Sequence, residues 1–120
     1  MSLIKTLSHG LLSSMFIVGG FGTFANPDYR AQKAERAGVP AARQAAILNG
    51  ATMVVAGTAL ALDFAPKLAA VILVASLIPT TYVGHSFWEE DNPGNRTNQR
   101  IHFTKNLAML GRLLSVLLEK

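Results

Sequence analysis

Between His85 and Arg112 the chain reads HSFWEEDNPGNRTNQRIHFTKNLAMLGR, and the polar side chains that interrupt its apolar sequence gather there. His85 and Trp88 close one apolar stretch, Glu89, Glu90 and Asp91 open a polar connection, and Asn92-Pro93-Gly94-Asn95 is turn chemistry. His102, Lys105, Asn106 and Met109 then recur at spacings of three and four, which places them on one face of a helix. Ionisable groups in an apolar span are costly, and they mark an interior surface, a polar pathway or a partnered site.

Three chemistries fit this constellation. His102, Lys105 and Asn106 can donate to a quinone-like carbonyl beneath an apolar entry from the lipid, with His85 and Trp88 completing a quinone or lipid site. Alternatively, His85 and His102 supply axial nitrogens to a haem, although two histidines without a longer motif are unspecific. In the third reading the cluster only holds helices together and presents a docking surface. Lys105 lies about one turn into its helix, so it can snorkel to the interface and pair with Glu89 or Glu90. Trp88 stands where an aromatic belt residue would. Asn106 cannot snorkel and needs a hydrogen-bond partner on a neighbouring helix or a ligand. Arg112 is deeper and is expected to form a structural ion pair with Asp63 at the opposite surface, where His9 also lies, remote from His85 and His102.

The elements that must position these groups are long and apolar. Leu3 to Ala25, Gln44 to Leu62, Pro66 to Trp88 and Ile101 to Leu118 each approach the roughly 20 residues that carry a helix across a bilayer. The expectation is an all-α, transmembrane four-helix bundle forming a single domain over residues 1–120, with polar loops at 26–43 and 89–100. Hydrophobic residues make up 50% and charged residues 15%, and mean hydropathy is only +0.31 because the charges crowd into the two connections. A soluble bundle would instead spread charge along each helix as a stripe, whereas Ala45 to Leu62 and Leu68 to His85 carry none. The first apolar run reads as an uncleaved anchor rather than a signal peptide ending at Thr23-Phe24-Ala25, since further spans follow.

Small-residue pairs four apart, Gly10 and Ser14, Ala46 and Gly50, Gly57 and Ala61, suit close helix packing. Pro79, midway along the third span, frees the carbonyl of Ala75 and is expected to kink the helix, with Ser76 and Thr80 at hand to satisfy local polar groups. Asp63 to Ala65 is a tight turn, and Asn26 to Arg43 is expected to hold a short polar surface helix before or around Gly38-Val39-Pro40. Arg30, Lys33, Arg36, Arg43, Arg96 and Arg100 fall in the two long connections, against Lys5, Lys67 and Lys120 on the other side. This bias places the long loops in the cytoplasm and both termini outside. The net charge of +4 then reflects orientation and anionic lipid rather than nucleic acid, since no basic stripe is interleaved with aromatic platforms.

There are no cysteines, which excludes thiolate metal sites, iron–sulfur ligation and thiol catalysis by this chain. No carboxylate pair within a span and no nucleotide loop supply a catalytic set either, so a non-catalytic subunit is a better reading than a stand-alone enzyme. Phe103-x-Lys105-Asn106-Leu107-Ala108-x-Leu110-Gly111, with the histidine–aromatic end of the third span before it, resembles the C-terminal signature of the DoxX family of small four-span membrane proteins. Phe16, Gly19, Gly20 and Phe24, followed by Gly38-Val39-Pro40, are similar to that family's N-terminal pattern. The resemblance implies an accessory or anchoring subunit of an oxidoreductase or respiratory-type complex in a bacterial plasma membrane. Its expected partners are a protein of that complex and membrane lipid, with self-association left open. Relatives include a subunit type of a thiosulfate:quinone oxidoreductase. Arg112 departs from the small or apolar residue usual after the glycine, and Asn49-Gly50 from an acidic residue often found in the second helix, so thiosulfate chemistry is not carried over.

Overall fold

The computed structural model describes residues 2–119. Among them the regular elements are all helical: α1 (Leu3–Ala25), α2 (Asp28–Arg36), α3 (Ala42–Ala61), α4 (Pro66–Gly84), a 3-10 turn (Phe87–Glu89) and α5 (Pro93–Val116). Each boundary has a local cause. Ser2 caps α1 by accepting from the Lys5 amide at 3.1 Å. In α2, Asp28 stands in the first turn and Lys33 and Arg36 in the last, an order that complements the helix dipole. Gly38, at φ 86°, then ends it with a 3.0 Å bond from the Val39 amide to the Ala34 carbonyl. The turn between α3 and α4 closes the same way through Asp63 at φ 57° and the Phe64 amide on the Ala59 carbonyl, after which Pro66 opens α4.

Helices α1, α3, α4 and α5 alternate in direction and pack in that order, while α2 lies against α3 and α4 at the end where α1 finishes and α3 begins. The crossing of α1 and α3 depends on glycine. A Cβ added to Gly20 would stand 2.6 Å from the Gly50 carbonyl oxygen, and one added to Gly50 would stand 2.7 Å from that of Gly20. Gly57 meets Phe16 and Ile17 one crossing further on, whereas Gly10 is free of neighbours within 4 Å. Phe16, Met53, Leu60, Leu73, Leu77 and Leu113 form the core between the helices. Helix α4 runs unbroken through Pro79, with the Thr80 and Thr81 hydroxyls donating to the Ser76 and Leu77 carbonyls at 2.8 and 2.7 Å.

Three segments are long and apolar enough to cross a membrane: Leu3–Ala25, Ala42–Ala61 and Pro66–Glu89. Only 28%, 33% and 39% of their most apolar windows are buried, so most of their positions are left uncovered or partly covered by the protein, as in a helix solvated by lipid. Leu7, Leu11, Val18 and Phe21 make such a face on α1, and Leu68, Val71, Ile78 and Tyr82 on α4. Helix α5 is not of this kind as a whole. It begins at Pro93 rather than near Ile101, so the polar loop expected up to residue 100 is largely helix. The side chain of Asn92 accepts from the Gly94 and Asn95 amides at 2.8 and 3.1 Å, converting the turn sequence into a cap and adding two exposed polar turns.

Candidate functional site

A cavity of about 280 Å³ opens among the helices at the end of the molecule that carries α2. Helix α1 contributes Met15, Phe16, Gly19 and Thr23, α3 contributes Ala46, Asn49 and Met53, and α4 contributes Leu77, Pro79, Thr80 and Val83. Gly84 and His85 end that wall, and α5 adds Lys105, Asn106 and Met109. Helix α2 roofs it with Arg30, Lys33 and Ala34, because Ala31 and Ala34 are its buried positions and turn that face inward. Met15 is exposed on α1 and also lines the cavity, so the space communicates with the lipid-facing surface.

The polar groups are held by bonds between helices. Asn106, 4% exposed, donates to the Thr81 hydroxyl at 3.0 Å and ties α5 to α4. Asn49 donates to the Thr80 hydroxyl at 2.6 Å and ties α3 to α4. Both threonines hand their own protons to carbonyls of the preceding turn, so each amide–hydroxyl pair is a fixed relay around Pro79. Lys33 donates to the Gly84 carbonyl at 3.0 Å, where the exposed carbonyls at the end of α4 favour a cation. The pairing of Lys105 with Glu89 or Glu90 is not seen: among the described residues neither Arg30 nor Lys105 lies within 4.0 Å of a carboxylate.

The residues singled out in the sequence separate into two groups. His85, Lys105 and Asn106 line the cavity, but Trp88 and His102 do not. His102 stacks on the outside of His85 with ring centroids 5.1 Å apart and planes 23° from parallel. His85 also meets the Gln99 side chain through Nδ1 at 2.8 Å. The two imidazoles therefore stack on one another rather than facing each other across a gap. Trp88 instead joins Tyr82, Phe87 and Phe103 in an aromatic cluster with centroid separations of 5.3 to 5.8 Å. Arg30, Lys33, Asn49 and Thr80 also line the cavity, although the sequence pointed to Arg30 and Lys33 only as topology, to Asn49 only as a departure from the family pattern and to Thr80 only as a local partner beside Pro79.

At the other end of the molecule, Asp63 and Arg112 do not form the ion pair expected of them. Arg112 donates to the Ser8 hydroxyl from Nε at 3.0 Å and Nη2 at 2.8 Å, meets Glu119 at 3.5 Å, and also bonds Ser115. Glu119 lies two turns further along the same chain direction, nearer than a residue in the α3–α4 turn. His9, 1% exposed, bonds both oxygens of Glu119 through Nε2 at 2.7 and 2.9 Å. These bonds fasten the start of α1 to the end of the chain. Asp63 lines a separate recess with Lys5, His9, Lys67 and Glu119. Burial raises the pKa of the Glu119 carboxyl, but the His9 hydrogen bond and the positive charges of His9, Arg112 and Lys5 outweigh it and leave the group below its ordinary value.

Apolar helices with lipid-facing side chains around a polar-mouthed cavity define an integral membrane protein of the helical class. The DoxX family model matches residues 10–86, well over half of the chain, and the chain belongs to that family. The matched span includes the cavity walls from α1 through α4 and ends before α5, so Lys105 and Asn106 lie outside it. No curated protein and no solved structure matches this chain.

Proposed function

We propose that this DoxX protein is an accessory, membrane-anchoring subunit of an oxidoreductase or respiratory-type complex, and that it holds a membrane amphiphile, quinone or lipid, in the cavity between α1, α3, α4 and α5. In this reading α5 crosses the bilayer as a fourth span, its apolar part from Ile101 onward passing beside α4 and its polar first turns standing in the interface. The long connections face the cytoplasm and the termini face outside, following the distribution of Lys and Arg. The observation that carries the reading is the cavity itself: an apolar floor of Phe16, Met53, Leu77 and Met109 beneath polar groups that converge from all five helices. The residues present suit an oxygen-bearing head, a quinone carbonyl or a lipid headgroup: Arg30 and Lys105 offer donors to it, and the apolar floor accepts the start of a tail. When bound, a quinone would supply two-electron carrier chemistry to the partner enzyme, while this chain's residues orient its head and exclude water from it.

The test is isolation of the tagged chain from native membranes in a mild detergent, with mass spectrometry of co-purifying proteins and of extracted quinones and lipids. A stoichiometric oxidoreductase partner is the expected result; a lone chain carrying only lipid would refute the subunit assignment. Asn106→Leu is expected to lower quinone-coupled activity of the complex while insertion is retained.

A non-catalytic scaffold is the competing reading, favoured by the exposed plate of Tyr82 and Trp88 beside Phe87, over which Arg100 sits at 5.3 Å. It is distinguished by charge reversal at the exposed residues Arg36 and Arg96, which should release a docked partner and leave the cavity intact. Arg30 and Lys33 do not serve that purpose, because they line the cavity.

A further inference from the structure

The cavity's mouth carries a charge imbalance that the protein does not correct. Arg30, Lys33 and Lys105 line it, and no aspartate or glutamate does. Lys33 is compensated by the Gly84 carbonyl at 3.0 Å. Arg30 and Lys105 are half-buried, line the same cavity, and have no carboxylate within 4.0 Å among the described residues. Of the acids in the adjoining segments, Asp28 pairs with Arg43 at 3.2 Å and Glu89 accepts from Ser86 at 3.4 Å. Withdrawing cations from water without a counter-charge is unfavourable. Below them the lining changes abruptly to Phe16, Met53, Leu77 and Met109.

We infer that the ligand of this cavity is an amphiphile with an anionic head, a carboxylate or a phosphate, and a single hydrocarbon chain. The head sits between Arg30 and Lys105, whose donors match the geometry of an oxyanion. The chain runs over the apolar floor and leaves past Met15 to the lipid. At about 280 Å³ the cavity lies at the lower edge of the roughly 300–1,000 Å³ typical of ligand sites, enough for a head and the beginning of one chain but not for a two-chain lipid body. This inference rests on the amphiphile site proposed above and narrows it by charge.

The test uses the full chain, delipidated in dodecylmaltoside, with three probes titrated by native mass spectrometry: palmitate, palmitoyl-lysophosphatidylglycerol, and neutral decylubiquinone. At least one of the two anions is expected to bind, at least tenfold more tightly than the quinone. A preference for palmitate assigns the head as a carboxylate, and a preference for the lysolipid assigns it as a phosphate. Arg30→Gln and Lys105→Gln should each weaken anion binding by about tenfold. Lys105→Arg, which keeps the charge, should retain it, and Arg36→Gln, outside the cavity, should match the unaltered protein. Decylubiquinone binding as tightly as the anions, or anion binding indifferent to Arg30→Gln and Lys105→Gln, would overturn the charge assignment and leave the amphiphile cavity standing. Failure of all three probes to bind would remove both.

Discussion

The contact between Gly20 and Gly50 fixes how closely α1 and α3 approach, and Gly50→Ala tests it. A Cβ at Gly50 would lie 2.7 Å from the Gly20 carbonyl oxygen, 3.0 Å from the Phe24 nitrogen and 3.2 Å from Thr23 Cβ. Ordinary van der Waals contact begins at 3.4 Å, so the helices must separate locally by about 0.7 Å. Two of the three opposing atoms are backbone and cannot swing aside, which puts the overpacking cost near the upper end of its range, about 3 kcal/mol. Alanine returns about 1 kcal/mol through its better helix propensity, leaving a net loss of about 2 kcal/mol. Gly10→Ala and Gly111→Ala meet nothing within 4 Å and should only gain, so the expected gap between Gly50→Ala and these controls is about 3 kcal/mol. Equilibrium unfolding in mixed micelles with increasing dodecyl sulfate, followed by far-ultraviolet circular dichroism, measures it. Gly50→Ala as stable as Gly10→Ala would refute the close crossing. Because Gly19 and Thr23 on α1 face Ala46 and Asn49 on α3 around the cavity, the same substitution should also weaken palmitate binding.

Replacing Asn106 with Leu removes the buried bond to Thr81 and should cost about 0.6–1.7 kcal/mol in the same unfolding assay, and adding Thr81→Val should cost little more, since the pair is already broken. The Glu119 carboxyl is held below its ordinary pKa, so its stabilisation is complete above the unfolded value and is lost as pH falls through the folded one; thermal midpoints should drop with acid in the unaltered protein and less in Glu119→Gln. Arg112→Met should destabilise the protein by freeing Ser8 and Glu119, while Asp63→Asn should leave the unfolding midpoint unchanged; a loss on Asp63→Asn would restore the expected Asp63–Arg112 pair.

Hydropathy made the spans legible because apolar side chains such as Leu7, Val18, Leu48, Val55, Val71 and Ile78 occupy outward positions of α1, α3 and α4. It located α5 less well, since apolarity reports the solvent around a helix and not the helix itself; Asn92 and Pro93 carry the start signal, and the same residues serve a turn equally well. Ala46-x-x-x-Gly50 and Gly57 were readable as packing residues, but their partners on α1, Gly20 and Phe16, emerge only from the crossing. Arg30 and Lys33 illustrate the deeper obstacle. On a polar nine-residue helix they look like solvated charges that set orientation, and only the burial of Ala31 and Ala34 against the bundle turns them over the cavity. The Asn106 amide requires a partner, and the partner is Thr81, two residues past Pro79, while Asn49 bonds the adjacent Thr80.

The two ends of the molecule solve opposite electrostatic problems. Where the end of the chain meets α1, buried His9 and half-buried Arg112 converge on one carboxylate, Glu119, and the gap between α1 and α5 is closed by charge. Around the cavity the cations have no such acid among the described residues, and α1 and α5 leave space between them. With the proposed orientation, that open end lies at the cytoplasmic leaflet, where anionic lipid is concentrated. Two sets of basic residues at that end would then have separable effects. Arg36, Arg96 and Arg100 are exposed and, on the proposed reading, would act on topology and on lipid or protein docking, so their neutralisation should alter insertion and leave ligand affinity unchanged. Arg30 and Lys105 line the cavity, so their neutralisation should alter affinity and leave insertion unchanged. Protease-protection and binding measurements on the same variants decide whether that division holds, and a single variant set moving both readouts together would show the charges act as one surface rather than as a mouth and a rim.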